Sequence, residues 1–130
     1  MFGWLKRKEK PQAWAKQYAV TQAKAKEAGS VDGRHYTTHV DEVKELKRKG
    51  RLAEAEKLLS KLVDAAERQF KIDGYGLPPW YYGELAIIYR RLGQFDDEVD
   101  ILERYLKRGG NPSNVEQRLQ KARQLARDSR

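Results

Sequence analysis

Apolar residues recur every three or four positions along most of the chain, which is the spacing of amphipathic helices. Between residues 36 and 72 the pattern is interrupted once, at Gly50. A glycine between two such stripes favours a tight turn, so the pattern predicts a helical hairpin. Its apolar positions are Val40, Val43 and Leu46 in the first helix, and Leu52, Ala55, Leu59, Leu62, Ala66 and Phe70 in the second.

A second hairpin is predicted from the most apolar stretch, GYGLPPWYYGELAIIYRRLG at residues 74–93. Pro79 suits the first position of a helix, and Gly93 suits its end. Phe95, Val99, Leu102 and Leu106 then mark the next helix at the same helical spacing.

Two more helices flank the hairpins. Residues 11–29 are rich in Ala, Lys and Gln, which favour helix, although the apolar side holds little besides Trp14 and Tyr18. Residues 29–36 are interpreted as a linker, and capping boxes are predicted at Thr38/Asp41 and Ser113/Glu116. The last helix turns Val115, Leu119, Ala122, Leu125 and Ala126 inward and has a basic outer face of Arg118, Lys121, Arg123 and Arg127.

The predicted fold is therefore all-α, with no strand. Two antiparallel helical hairpins are preceded by an N-terminal helix and followed by a C-terminal capping helix. The chain divides into a basic and aromatic segment at 1–10, a helix at 11–29 and a helical domain at 36–128.

The two hairpins resemble each other and the tetratricopeptide repeat. Placing Gly50 over Gly93 aligns LKRKGRLAEAEKLLSKLV with YRRLGQFDDEVDILERYL. The second hairpin matches the repeat pattern at Tyr82, Leu85, Ala86, Tyr89, Gly93 and Phe95. Glu98 stands where the pattern has a small residue, and the two glycines are 43 positions apart instead of about 34. The chain is also similar to small bacterial proteins of this type.

The resemblance implies a concave groove that binds a helix or a peptide of another protein. Family register places an apolar floor at Trp80 and Ile87, with a mainly basic rim. The implied partner-binding residues are Lys44, Lys47, Arg48, Trp80, Glu84, Ile87, Arg90 and Arg91. An acidic or amphipathic segment suits this surface. The asparagines of the family's carboxylate-clamp version are absent, so recognition of a C-terminal acidic motif is not expected.

Three readings of the Trp80/Ile87 stripe stay open. The stripe lines a groove for a partner, or it forms a homodimer surface, or the helix carrying Trp14 and Tyr18 folds back and covers it. Two repeats are fewer than the roughly three needed to bury a continuous core, so something must complete the stack.

Charge is concentrated at the ends of the chain. Residues 1–30 hold seven Lys/Arg against two Asp/Glu, and residues 111–130 hold five against two, within a net charge of +8. Basic ends predict an alternative function, non-specific and salt-sensitive binding of nucleic acid. The absence of cysteine excludes disulfides and is typical of a reducing compartment, and no apolar run is long enough to span a membrane. A cytoplasmic protein of bacterial or phage origin is expected.

The opening MFGWLKRKEK suggests a further alternative. Phe2, Trp4 and Leu5 precede Lys6, Arg7 and Lys8, a combination typical of peripheral contact with an anionic membrane surface, of a docking peptide or of a disordered tail.

No catalytic set is recognisable, so an enzyme is not expected and no cofactor is predicted. His35 and His39 are four residues apart, but His35 precedes the predicted helix, so both are interpreted as surface residues and not as zinc ligands. The acidic run at Asp96–Asp100 is interpreted as a solvated helix start.

Overall fold

The computed structural model describes residues 12–130 of the chain. The described residues form six α-helices: α1 (Gln12–Ala28), α2 (Val40–Arg48), α3 (Leu52–Asp73), α4 (Pro79–Arg91), α5 (Phe95–Lys107) and α6 (Glu116–Asp128). Two-residue strands β1 (Ser30–Val31) and β2 (Arg34–His35) and two 3-10 turns (Tyr36–His39 and Pro112–Asn114) complete the order. The all-α prediction is confirmed.

The turns after α2, α4 and α5 share one hydrogen-bond pattern. After α2, Gly50 N donates to Lys47 O (3.0 Å) and Arg51 N donates to Leu46 O (2.9 Å). The glycine has a φ of 72°, which the lack of a Cβ makes accessible, and the two bonds satisfy carbonyls at the helix end. The turns at Gly93 and Gly109 repeat the pattern, so the overlay of Gly50 on Gly93 has a structural counterpart.

Each helix from α2 onward packs on the next one along the chain. The core lies between them and is filled by the side chains that the apolar spacing predicted. The largest fully buried ones are Tyr82, Tyr105, Leu59, Leu62, Leu85, Ile88 and Leu102. α6 buries Leu119, Ala122 and Ala126 and closes the far end, as expected of a capping helix.

The N-terminal helix α1 packs mainly against α3. Its hypothesised role of covering the Trp80/Ile87 stripe is wrong, because Trp14 and Tyr18 are 67% and 54% exposed. Ala25 is its one fully buried side chain. The thin apolar side of α1 is therefore used only near its C-terminal end.

Residues 29–36 are more ordered than the linker interpretation held. β1 and β2 pair antiparallel, with Ser30 opposite His35. Asp32 and Gly33 make the turn with positive φ values of 51° and 83°. The prediction of no strand was wrong here because two-residue strands are too short to show an alternating pattern.

Neither predicted capping box forms. Thr38 Oγ1 donates to the His35 carbonyl (2.7 Å) and does not cap α2. Ahead of α6, the Asn111 side chain accepts from Ser113 N (3.1 Å), so the capping residue lies two positions before the expected one. In both places a 3-10 turn precedes the α-helix and takes the local side-chain bonds.

Among residues 12–130, no helix combines the length and apolar character needed to cross a bilayer.

Candidate functional site

One face of α4 remains open between α2 and α6. Trp80, Glu84, Ile87 and Arg91 follow one another at helical spacing and form a stripe along this face. Trp80, Glu84 and Ile87 are half-buried and Arg91 is exposed. The opposite side of α4 carries its fully buried residues and faces the core. This stripe, with the adjoining surfaces of α2 and α6, is called the α2/α4/α6 face below.

An ion pair joins α2 to α4 on this face. Lys47 Nζ contacts Glu84 Oε2, and the two side chains are 21% and 16% exposed. Both residues were predicted to bind a partner, but each is already occupied by the other. Lys44 lies three residues from Lys47 and is exposed.

Arg48 makes a local pair with Glu45. Its Nη2 lies 2.5 Å from Glu45 Oε1, and both groups reach solvent. The hydrogen bond from Arg48 lowers the pKa of the Glu45 carboxyl below its usual value, and nearby Lys49 adds to the effect. Exposed pairs of this kind contribute little to stability and exchange partners readily.

The α6 side of the face holds an open cavity of about 610 Å³. Three cationic side chains line it: Arg90 from α4, and Arg118 and Lys121 from α6. Glu116 is its one acidic lining residue, and Ser113, Asn114 and Gln117 complete the wall. The cavity is therefore polar and carries net positive charge.

Arg90 is anchored from below by Glu98 of α5. Arg90 Nη2 lies 2.8 Å from Glu98 Oε2, and Arg90 Nε donates to Glu98 Oε1 at 3.0 Å. Glu98 is fully buried, whereas the Arg90 side chain is 33% exposed. The interpretation of Asp96–Asp100 as a solvated helix start is wrong for Glu98, because this carboxylate turns inward to meet the guanidinium.

The basic residues of α6 divide between two sides of the helix. Arg118 and Lys121 line the cavity on the α4 side. Arg123 pairs with Glu103 of α5 (3.5 Å), and Arg130, two residues past the end of α6, pairs with Asp96 of α5 (3.0 Å). Arg118, Lys121, Arg123 and Arg127 were predicted to form one outer face, and neither Arg118 nor Lys121 was among the predicted partner-binding residues. Arg118 and Lys121 each directly precede a buried residue, Leu119 and Ala122, and this position in the helical period is the sequence signal that distinguishes the two sides.

Four cations of the α2/α4/α6 face are without an ion-pair partner among residues 12–130. They are Lys44, Arg91, Arg118 and Lys121. Glu84, the acidic residue in the middle of the face, is neutralised by Lys47. The face therefore presents an excess of positive charge to solvent.

The apolar floor of the face is thinner than predicted. Trp80 packs partly against the core, and its ring meets the Tyr81 ring edge-on at 5.0 Å. Tyr81 in turn meets Tyr36 edge-on at 5.2 Å. Burial raises the pKa of Tyr81 to about 12, and Tyr36 adds to the shift. One part of the Trp80 side chain therefore packs against the core, and the other part lies at the surface of the α2/α4/α6 face.

Gly83 lies in the middle of α4, between Trp80 and Ile87. A Cβ placed there would have no atom within 4 Å outside its own helical turn. The glycine leaves a shallow depression in the face without being required by the fold.

The two histidines precede α2, His35 at the end of β2 and His39 at the end of the following 3-10 turn. His39 Nε2 donates to the Val31 carbonyl (2.9 Å), and His39 is buried, which corrects its interpretation as a surface residue. His35 Nε2 donates to Gln69 Oε1 (2.6 Å). Within the part of the chain that the structure describes, no group of three His, Asp or Glu side chains converges as a metal site.

A second buried polar cluster was not foreseen from the sequence. Glu67 of α3 accepts from the Tyr82 hydroxyl (2.7 Å) and from Arg104 Nε (2.8 Å). The hydrogen bonds that Glu67 and Asp64 accept raise the pKa of Arg104. This cluster lies on the core side of α4 and ties α3 to α5.

The predicted membrane or docking residues Phe2, Trp4, Leu5, Lys6, Arg7 and Lys8 lie outside the described residues. Comparison of the chain with protein-family models, curated proteins and solved structures gave no match.

Proposed function

We propose that this protein is a non-enzymatic interaction module that binds an acidic helix or peptide of a partner protein along the α2/α4/α6 face, in the manner of a tetratricopeptide-like groove. The observation that carries the proposal is the set of cations on this face that lack ion-pair partners among the described residues: Lys44, Arg91, Arg118 and Lys121.

On α5 and α6, Lys107 and Arg127 are also without an ion-pair partner among residues 12–130, whereas other basic side chains are matched by acidic ones. Arg123, Arg130 and Arg104 each meet a carboxylate on a neighbouring helix. The α2/α4/α6 face carries four such cations on three helices, Lys44, Arg91, Arg118 and Lys121. A complementary acidic surface is attracted to such a patch from a distance, and the attraction weakens as salt is added.

A protein segment fits the rest of the face. Trp80 and Ile87 offer apolar area for one or two side chains, and Gly83 between them lets a backbone approach closely. The cavity at Arg90, Arg118 and Lys121 lies at one end, where carboxylates of the segment would be held. Arg90 is fixed by Glu98, so its exposed part is already positioned.

A larger side chain at Gly83 is expected to favour the helix and to lower peptide affinity, so variants at this position separate a binding defect from a folding defect. Gly83→Ala adds one methyl group and favours helix, whereas Gly83→Leu also fills the depression. A display library of random peptides is selected on the wild-type protein, and the enriched peptides are measured against both variants. We expect acidic peptides with apolar residues, whose affinity Gly83→Leu lowers by about tenfold or more while Gly83→Ala changes it little.

The proposal fails if the enriched peptides bind Gly83→Leu as well as they bind wild type. It also fails if a labelled single-stranded RNA oligomer binds more tightly than any selected peptide and competes with the peptides for Arg118 and Lys121. That result favours the nucleic-acid alternative.

A further inference from the structure

The cationic cavity at the α6 side of the α2/α4/α6 face gathers side chains from two helices around one space. Arg90 comes from α4, whereas Arg118 and Lys121 come from α6. Arg118 and Lys121 are three residues apart, so they are neighbours on the surface of α6. The side chain of Arg118 is half-buried, yet it makes no hydrogen bond or ion pair with any of residues 12–130. A guanidinium in this position is available to an anion from outside the protein.

Arg90 presents a fixed hydrogen-bond donor to the same cavity. Glu98 accepts from Arg90 Nε (3.0 Å), and its second oxygen lies 2.8 Å from Arg90 Nη2, which is itself buried. These contacts use one edge of the guanidinium and leave Nη1 without a partner among the described residues. Because Arg90 lines the cavity and its side chain is 33% exposed, the Nη1 group is the part that a bound anion meets.

The three donor groups suit a phosphoryl group better than a carboxylate. A phosphorylated serine or threonine presents three acceptor oxygens and a charge of about −1.5 to −2 at neutral pH. A carboxylate presents two oxygens and a single negative charge. Since Glu98 already neutralises Arg90, the charge offered to a ligand comes from the other two cations. Arg118 and Lys121 supply it, opposed by Glu116.

The wall of the cavity favours a short phosphorylated side chain. Every residue that lines it is polar or charged, and Ser113, Asn114 and Gln117 accompany the cations. Phosphotyrosine would place its aromatic ring against these polar groups without burying apolar area. Phosphoserine and phosphothreonine carry the same phosphoryl group on a short stem.

The arrangement of charge fits one phosphoryl group better than a nucleic-acid strand. A strand carries regularly spaced phosphates, which a row of cations neutralises. Across the α2/α4/α6 face, the cavity is separated from Lys44 by the paired Lys47 and Glu84 and by apolar Ile87. The free cations of the cavity therefore form a single cluster and not a row.

We infer that this cavity binds the phosphoryl group of a phosphoserine or phosphothreonine in the partner's segment. The inference rests on the proposed function, because the remainder of the segment lies along the α2/α4/α6 face. Phosphorylation of the partner strengthens its binding, since it replaces a neutral hydroxyl by a group that forms up to three charge-assisted hydrogen bonds.

Inorganic phosphate tests the cavity without any peptide. The isotope-labelled full-length protein is titrated with sodium phosphate, or with sodium acetate at the same ionic strength, and its amide NMR signals are recorded. We expect phosphate to shift the signals of residues 113–121 saturably, and acetate to require about tenfold higher concentration. Arg118→Gln/Lys121→Gln should abolish the phosphate shifts. Arg123→Gln/Arg127→Gln removes the same charge from the other side of α6 and should titrate like wild type.

Glu116→Gln supplies a change of the opposite sign. The Glu116 carboxylate lines the cavity and repels a bound phosphoryl group. We expect this variant to bind phosphate about threefold more tightly than wild type, because the repulsion is removed while both free cations remain. Circular dichroism on every variant checks that the helices persist.

Phosphopeptides connect the cavity to the segment. In an acidic peptide enriched on the wild-type protein, each residue is replaced in turn by serine and by phosphoserine. We expect one position at which phosphoserine binds about tenfold more tightly than serine or better. Arg118→Gln/Lys121→Gln should remove this gain, whereas Arg123→Gln/Arg127→Gln should keep it.

Two results would overturn the inference while the proposed function stands. In the first, enriched peptides bind the face but gain nothing from phosphoserine at any position. In the second, Arg118→Gln/Lys121→Gln keeps the gain or leaves the phosphate titration unchanged. If no peptide binds the face, both the inference and the proposed function are overturned. A single-stranded RNA oligomer that binds more tightly than the best phosphopeptide, and that Arg118→Gln/Lys121→Gln releases, would assign the cavity to nucleic acid instead.

Discussion

The Lys47 ammonium pairs with the Glu84 carboxylate and joins α2 to α4 in the middle of the α2/α4/α6 face. The two residues are 37 positions apart, and about a fifth of each side chain reaches solvent. α2 is the shortest helix of the described chain, with nine residues. An ion pair at its C-terminal end therefore holds in register a helix that has little buried apolar surface of its own.

Breaking this pair should destabilise the protein more than breaking an exposed one. We expect Lys47→Met to lower the free energy of unfolding by about 2 kcal/mol, because it leaves a partly buried Glu84 without its partner. The exposed pair Arg48/Glu45 on the same helix is the matched control, and Arg48→Met should cost less than about 1 kcal/mol. Urea unfolding followed by circular dichroism measures both; equal losses would show that the Lys47–Glu84 pair contributes no more than a surface pair.

The buried pair Arg90/Glu98 should respond unequally to the loss of its two members. Arg90→Met leaves Glu98 fully buried without a counter-charge, and we expect a loss of about 3–5 kcal/mol. Glu98→Ala leaves Arg90, whose side chain can turn to solvent, and the loss should be smaller. The double variant Arg90→Met/Glu98→Ala should recover part of the Arg90→Met loss. Thermal unfolding of the three variants measures these losses of stability. Equal losses in Arg90→Met and Glu98→Ala would contradict the expected asymmetry.

Stability should fall in alkaline solution because buried tyrosines resist ionisation. Burial raises the pKa of Tyr82 above the ordinary value of 10.0, and its hydrogen bond to Glu67 raises it further. Above pH 10.0 the Tyr82 hydroxyl loses its proton in the unfolded chain but keeps it in the folded chain. The free energy of unfolding therefore declines as pH rises. The slope is about 1.4 kcal/mol per pH unit for each such tyrosine.

Tyr82→Phe tests this reasoning. The variant loses the hydrogen bond to Glu67, so we expect it to be less stable than wild type near neutral pH by about 1.5 kcal/mol. Above pH 10 its stability should decline less steeply, because one buried hydroxyl is gone. Burial also raises the pKa values of Tyr81 and Tyr89 to about 12. These two tyrosines should therefore cause part of the loss of stability in both proteins. Parallel pH curves for Tyr82→Phe and wild type would contradict the assignment.

Two glycines should respond in opposite ways to alanine. A Cβ at Gly110 would collide with the ring of buried Tyr105, so Gly110→Ala should destabilise by about 1–3 kcal/mol. Gly83→Ala meets no neighbour and should stabilise α4 by up to about 1 kcal/mol. Melting temperatures of the two variants check both signs, and a destabilising Gly83→Ala would show that the open depression is needed by the fold.

The fold could be predicted from local patterns because its helices and turns depend on neighbouring residues. The three- and four-residue spacing that put Leu59, Leu62 and Tyr82 inward is visible in the sequence, and so is the turn glycine at Gly50. The strands at Ser30–Val31 and Arg34–His35 could not be recognised in this way, because two residues carry no period.

The site was harder to predict because it depends on which distant side chains meet. Placement of Lys47 and Glu84 on one face came from the tetratricopeptide resemblance, but their mutual neutralisation is a property of the packed helices. Glu98 was predicted to face solvent, since an acidic run at a helix start is usually hydrated, and only the position of Arg90 explains its burial. Arg118 and Lys121 joined the site once the orientation of α6 against α4 was known.

The most direct test of the α2/α4/α6 face as a binding surface is the fluorescence of Trp80 during titration with a selected acidic peptide. Trp4→Phe and Trp14→Phe leave Trp80 as the sole tryptophan, and the peptide itself contains none. We predict a saturable change in Trp80 emission that Lys121→Glu shifts to higher peptide concentration. A peptide that binds by calorimetry yet leaves Trp80 emission unchanged, or is indifferent to Lys121→Glu, would show that the partner binds elsewhere.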